Sequence, residues 1–101
     1  MDLRKFIRDF PDFPKPGILF KDISPILKSP EAMTFIEEQI YQHYKNCNID
    51  IVAGAESRGL MFASALAERF ERGLIMIRKQ GKLPGPTRKM SFDIEYGSRV
   101  M

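Results

Sequence analysis

The sequence predicts an α/β fold: a parallel sheet with flanking helices. Three observations predict it. The apolar, β-prone run Ile51-Val52-Ala53 stops at Gly54 and hands over, through Glu56-Ser57-Arg58-Gly59, to a helical pattern. That helix uses small residues, Ala63, Ser64, Ala65 and Ala67, which let a helix lie close on a sheet. A second apolar run, Leu74-Ile75-Met76-Ile77, follows it. Strand, helix and strand in this order make a right-handed βαβ unit.

The other elements follow in chain order. Asp2 suits the cap of a short first helix with Leu3, Phe6, Ile7 and Phe10 on its apolar face, ended by Pro11. Residues 11–17, Pro-Asp-Phe-Pro-Lys-Pro-Gly, read as irregular, because their three prolines lack N–H donors. Ile18-Leu19-Phe20 reads as a short extended piece closed by Lys21-Asp22. Ser29 is the N-cap of the next helix, with Pro30 in its first position and Glu31 in its first turn. That helix runs to about Tyr44, and its buried stripe is Met33, Ile36, Ile40 and Tyr44, helped by Ala32 and Phe35. Gly73 fits the left-handed position that ends the helix after Arg58, and Leu74–Ile77 is expected to be a buried strand. Residues 80–88 read as a mobile loop. Met90, Phe92, Ile94 and Tyr96 alternate with Ser91, Asp93 and Glu95, the period of a strand with one apolar face. The βαβ unit supplies only two parallel strands, so its sheet edges are expected to lie open and the sheet to be incomplete.

A chain of 101 residues suits a single domain. Hydrophobic content of 44% with 29% charged residues fits an ordinary globule. A net charge of +3 favours anionic ligands but is too small to argue for nucleic acid. Cys47 stands alone, so no internal disulfide forms and a reducing compartment is expected. No signal-peptide pattern opens the sequence, and no stretch approaches a membrane span of about 20 apolar residues.

The chemistry is expected where the first strand hands over to its helix. In α/β sheets ligands bind outside the carboxyl ends of the strands, and a helix N-terminus there suits an anion. Arg58 adds a two-pronged cation; the plainer reading has Ser57 simply capping the helix. Both strands of a βαβ unit end on one side, so Arg78, Lys79 and Lys82 should face the same crevice as Glu56-Ser57-Arg58. Phe20, after a rigid loop, either stacks on a flat heterocycle or fills the core. Glu95 is either a proton carrier or a residue on the polar face of its strand. His43 reads as solvent-exposed. One His and one Cys without partners argue against a zinc site, and neither a Walker loop nor GxGxxG is present.

Four blocks together carry a resemblance: Phe10-Pro-Asp-Phe-Pro-Lys-Pro-Gly-Ile-Leu-Phe-Lys-Asp-Ile-Ser-Pro, Glu56-Ser-Arg-Gly, Arg78-Lys-Gln-Gly-Lys-Leu-Pro-Gly and Glu95-Tyr-Gly. In order and spacing they resemble the adenine phosphoribosyltransferase family, across the whole chain. The resemblance implies a phosphoribosyltransferase-like parallel sheet with a mobile hood loop. It implies purine salvage, the transfer of ribose 5-phosphate from phosphoribosyl pyrophosphate to adenine with Mg2+, giving AMP and pyrophosphate. A cytoplasmic homodimer is implied too. By position, Leu19, Phe20 and Lys21 match the adenine-binding segment. Glu56, Ser57 and Arg58 match a pyrophosphate loop whose Glu-Ser peptide is typically cis. Arg78, Lys79 and Lys82 match a basic loop that reaches pyrophosphate, and Glu95 and Tyr96 the hood over the reacting centre.

The resemblance has one departure. The family's later half carries two consecutive aspartates and a Thr/Gly-rich loop that cradles the sugar phosphate, and nothing in these 101 residues matches it. The expectation is therefore an N-terminal portion of such an enzyme, inactive alone. The alternative is a short non-catalytic homologue that binds anions or pairs with a full-length partner. A distinct nucleotide-binding module is the weaker third reading.

Overall fold

The computed structural model of the chain describes residues 1–89 and the backbone of residues 91–94 and 97–100. Two compact units make it up, Met1–Ile40 and Tyr41–Met101.

The first unit opens with a 3-10 turn, Leu3–Phe6, capped as expected by Asp2, whose carboxylate accepts the Arg4 N–H at 3.1 Å. The helix expected to continue to Phe10 does not. Arg8–Pro11 is instead a strand, β1, paired antiparallel with β2, Leu19–Asp22. Charge and proline decide this. The register sets Arg8 opposite Asp22 and Asp9 opposite Lys21, opposite charges facing each other twice. Pro11 closes the strand on an edge, where a missing N–H is tolerated. In the connecting loop Asp12 takes φ 58° and accepts the Gly17 N–H at 2.9 Å, while Gly17 itself has φ 88°. The Phe13–Pro14 peptide is cis.

A short helix absent from the sequence reading, α1 (Ser24–Lys28), follows and buries Ile26. It starts there because the Asp22 carboxylate accepts both the N–H and the hydroxyl of Ser24, at 3.0 and 2.6 Å. The next helix, α2 (Pro30–Tyr44), begins as expected: the Ser29 hydroxyl accepts the Ala32 N–H at 3.1 Å. Ala32 is fully buried; Met33, Phe35, Ile36 and Ile40 are half-buried, and Tyr44 is exposed rather than part of a buried stripe.

The second unit holds the expected βαβ core. Strands β3 (Ile51–Ala55) and β4 (Gly73–Ile77) pair in parallel, with α3 (Arg58–Phe70) between them in sequence. The small residues act as expected: Ala63 and Ala67 are the buried residues of α3. Gly54 completes the fit, because a Cβ there would stand 2.5 Å from the Ala63 Cβ and 3.1 Å from the Gly59 carbonyl.

Two expectations fail in this unit. Gly73 does not end α3; Glu71 does, in the left-handed conformation at φ 55°. The Arg72 N–H closes the end on the Ala67 carbonyl at 2.9 Å. The Arg72 guanidinium then reaches the Ile49 carbonyl at 2.7 Å. These bonds fix the turn two residues early and free Gly73 to begin β4. The second failure is burial. Leu74, Ile75, Met76 and Ile77 are 38–50% exposed, because β4 pairs, among the described residues, with β3 alone.

The alternating segment does not add a strand to that sheet. Ser91–Ile94 (β5) and Gly97–Val100 (β6) pair with each other as an antiparallel hairpin. Met90 and Tyr96, the ends of the expected strand, lie outside the described residues. No helix among the described residues is long and apolar enough to cross a membrane.

Candidate functional site

Parallel pairing brings the ends of β3 and β4 side by side. Ala55 stands opposite Ile77, so Glu56 and Arg78 are the next residues out on each strand. The Glu56 N–H donates to the Ile77 carbonyl at 2.9 Å and extends the ladder by one step. Its carboxylate then accepts the Arg78 Nε–H at 2.8 Å and the Lys79 backbone N–H at 2.5 Å. The Glu56 side chain is 7% exposed and that of Arg78 is 34% exposed. The Arg78 hydrogen bond, helped by the Lys79 N–H and opposed by partial burial, holds the Glu56 carboxyl below the usual carboxylate range. Glu56 is therefore charged at neutral pH.

The Glu56–Ser57 peptide is cis, as the resemblance implies. Ser57 occupies the N-cap position of α3, yet its side chain makes no capping hydrogen bond. The plainer reading of Ser57 as an ordinary cap is thereby corrected: its backbone is α-helical, φ −100° and ψ −35°, where a capping residue is normally extended. Ser57 and Arg58 are both exposed at the start of α3.

Of the residues expected to converge, Glu56, Arg78 and Lys79 are in contact. Lys82 is exposed and belongs to a turn in which its N–H donates to the Lys79 carbonyl at 3.1 Å. A groove of about 730 Å3 opens beside β4. Ile75, Ile77 and Leu83 give it apolar walls; Arg78, Lys79 and Lys89 give it a cationic rim. Glu56, Ser57, Arg58 and Lys82 are not part of it. The strand-end site and this groove share Arg78 and Lys79, and Ala55, next to Glu56, also lines the groove.

Leu19, Phe20 and Lys21 lie on β2 in the first unit. Phe20 is half-buried and meets Phe13 edge-to-face, with ring centroids 5.1 Å apart and planes at 73°. Leu19 is exposed. The Lys21 ammonium is 2.8 Å from the Asp9 carboxylate, so its side chain serves the hairpin. Glu95 and Tyr96 lie outside the described residues. His43 is exposed, as expected.

Among the described residues no group of three or more His, Cys, Asp or Glu side chains could hold a metal ion. The acid at the strand ends, Glu56, is already engaged by Arg78 and Lys79. Among the described residues these side chains do not fit a protein-held magnesium.

The sequence reading missed two groups of consequence. One is Asp22, which joins Arg8 to Ser24; the signal was the repeated base-acid order, Arg8-Asp9 and Lys21-Asp22, on either side of a proline-rich loop, which an antiparallel pairing sets as opposite charges. The other is the true partner of Glu56. The segment 78–89 holds five cations and no acid, so a nearby carboxylate was bound to be drawn to it.

No protein-family model matches the chain. Among curated proteins it is 55% identical over 97 residues to adenine phosphoribosyltransferase of Nitrosopumilus maritimus. It is 49% identical over 98 residues to that of Bdellovibrio bacteriovorus. These matches cover 96% and 97% of this chain but 57% and 59% of the relatives. Among solved structures it is similar to the Giardia lamblia enzyme complexed with 9-deazaadenine, with a TM-score of 0.92 and 41% identity. It is similar also to the enzyme of Thermoanaerobacter pseudethanolicus, with a TM-score of 0.86 and 39% identity. They cover 98% and 97% of this chain and 55% and 57% of those chains. The chain thus resembles adenine phosphoribosyltransferases along nearly its whole length, shares their fold there, and spans somewhat more than half of theirs.

Proposed function

We propose that this chain is part of an adenine phosphoribosyltransferase and acts in purine salvage. In the reaction a ring nitrogen of adenine bonds to C1 of the ribose of phosphoribosyl pyrophosphate as pyrophosphate leaves with the bonding electron pair, and the proton that this nitrogen carried is given up, to Glu95 or to solvent. The products are AMP and pyrophosphate. The observation that carries the reading is the strand-end site, where Glu56, two residues before α3 begins at Arg58, holds Arg78 and the Lys79 peptide, in a chain that resembles this enzyme along nearly its whole length. Fixed cations of this kind stabilise charge that builds on a leaving group. Arg58 is assigned to the pyrophosphate, Lys82 to the same group from its loop, and Phe20 to the adenine ring, held flat with Leu19 and Lys21 beside it. Glu95 and Tyr96 are assigned to the hood over the reacting centre. Magnesium enters with the diphosphate of the substrate. A cytoplasmic homodimer completes the proposal.

Calorimetric titration tests it. A protein of the relatives' full length should bind adenine and pyrophosphate and form AMP. Binding of neither ligand overturns the reading. The 101 residues alone, which hold no paired aspartates with a Thr/Gly-rich loop, should turn over far below about 1 per second, the low end of ordinary enzymes. Exposure of 38–50% along β4 favours a second reading, a non-catalytic protein that pairs with a full-length partner. Light scattering of the 101 residues mixed with a full-length adenine phosphoribosyltransferase tests it, and no complex would exclude that reading.

A further inference from the structure

Glu56 is an acid in a site proposed to grip an anion, and unlike charges alone do not explain it. A carboxylate facing pyrophosphate would repel it. The geometry gives the carboxylate another task. One oxygen accepts the Arg78 Nε–H at 2.8 Å and the other accepts the Lys79 backbone N–H at 2.5 Å. The two bonds reach both a side chain and the peptide that starts the basic segment. With its side chain 7% exposed, Glu56 has little surface left to offer a ligand. It also sits one residue beyond β3, anchored by its own N–H to the Ile77 carbonyl at 2.9 Å. Strand, carboxylate and basic segment are therefore linked on three points.

We infer that Glu56 is a positioning residue: it holds Arg78 and the first peptide of the basic segment in the orientation that receives the diphosphate, and does not itself touch substrate. The inference rests on the functional reading above. Holding Arg78 through Nε fixes the plane of the guanidinium and so the direction of its terminal N–H groups, which is what two-pronged phosphate recognition needs. Holding the Lys79 peptide sets where the chain departs from the sheet.

The role makes a prediction opposite in sign to simple electrostatics. Glu56→Gln keeps shape and removes one negative charge. If the acid only repelled the anion, the variant would bind pyrophosphate more tightly. A positioning role requires weaker binding, by about tenfold for the loss of one charge-assisted bond.

The experiment titrates magnesium pyrophosphate and adenine into full-length wild type, Glu56→Gln and Glu56→Asp, with hydrogen exchange at the Lys79 amide and thermal melts on each. Expected for Glu56→Gln are weaker pyrophosphate binding, unchanged adenine binding, faster exchange at Lys79 and a small change in melting temperature. Glu56→Asp, shorter but charged, should recover part of the pyrophosphate affinity. Equal or tighter pyrophosphate binding by Glu56→Gln, with wild type binding normally, overturns the positioning role alone. Should Glu56→Gln melt early, equal losses of both ligands in it and in Glu56→Asp would also overturn the role, since positioning affects one ligand. Wild type that binds neither ligand overturns the functional reading, and this one with it.

Discussion

The hairpin of the first unit and the strand ends of the second both bring acids and bases together, but to opposite result. Across β1 and β2 the charges cancel in pairs: Lys21 with Asp9 at 2.8 Å, and Arg8 with Asp22. Every charge on facing positions has a partner, and the hairpin offers little net field. At the ends of β3 and β4 one acid, Glu56, faces a segment with five cations and no acid of its own. Pairing there leaves an excess of positive charge. Balanced charge sets register, and unbalanced charge makes a site for an anion.

The comparison breaks first if the scaffold under the strand ends fails. Gly54→Ala should do this, since the new Cβ meets the Ala63 Cβ at 2.5 Å and the Gly59 carbonyl at 3.1 Å. Overpacking of this kind costs roughly 1–3 kcal/mol, a fall in melting temperature on the order of 10 °C for a small domain. A thermal melt decides it; an unchanged midpoint would show that α3 gives way freely.

Arg58→Ala sharpens the comparison next. It removes a cation from the unbalanced region, and pyrophosphate should bind roughly tenfold to a hundredfold more weakly, as for a charge-assisted bond of about 1.5–3 kcal/mol. Adenine affinity should hold. Equal losses for both ligands in parallel titrations would make Arg58 structural.

Phe20→Leu tests the balanced region. The substitution keeps most of the apolar volume and should cost less than about 1.5 kcal/mol of stability, including the edge-to-face contact with Phe13. Adenine affinity should drop severalfold while pyrophosphate binding is unchanged. If the melting temperature falls sharply and adenine still binds, Phe20 is a core residue.

The smallest effect concerns pH. Asp22 is depressed from the usual 3.8 to about 2, chiefly by the Ser24 hydroxyl, then by the Ser24 N–H, with Arg8 adding to it. A lowered carboxyl pKa stabilises the fold fully above the unfolded value and ceases to do so as pH falls through the folded one. The hairpin should therefore lose stability between about pH 4 and pH 2. Melts of wild type and Asp22→Asn across that window should converge as pH falls. Curves that stay parallel would detach Asp22 from the acid response.

Much of this was legible in the sequence, for reasons that differ by element. The β3–α3–β4 unit could be read because its signals agree: two apolar runs, a helix of small residues, and a glycine where helix meets strand. Ser29 could be read as a cap because capping is local. The β1–β2 hairpin could not. Leu3, Phe6, Ile7 and Phe10 follow a helical period, and only the pairing with a strand eleven residues on turns residues 8–11 into extended chain. The exposure of β4 needed the sheet topology, which no local pattern carries. At the site, the basic segment and Glu56-Ser57-Arg58 were visible as types of residue. That Glu56 spans to Arg78 and Lys79 was not, since it depends on which strand residues stand abreast.

That same span bears on when the site comes into being. Glu56 and Arg78 are 22 residues apart in sequence, and a parallel pair can close only through a crossover such as α3. Glu56 holds Arg78 and the Lys79 peptide only when β3 and β4 stand abreast. A chain growing from its N-terminus has no such site until residue 79 has been added and the crossover has folded. An anion that recognises the cluster consequently binds only the closed unit, and by mass action it raises the population of that unit over its open forms.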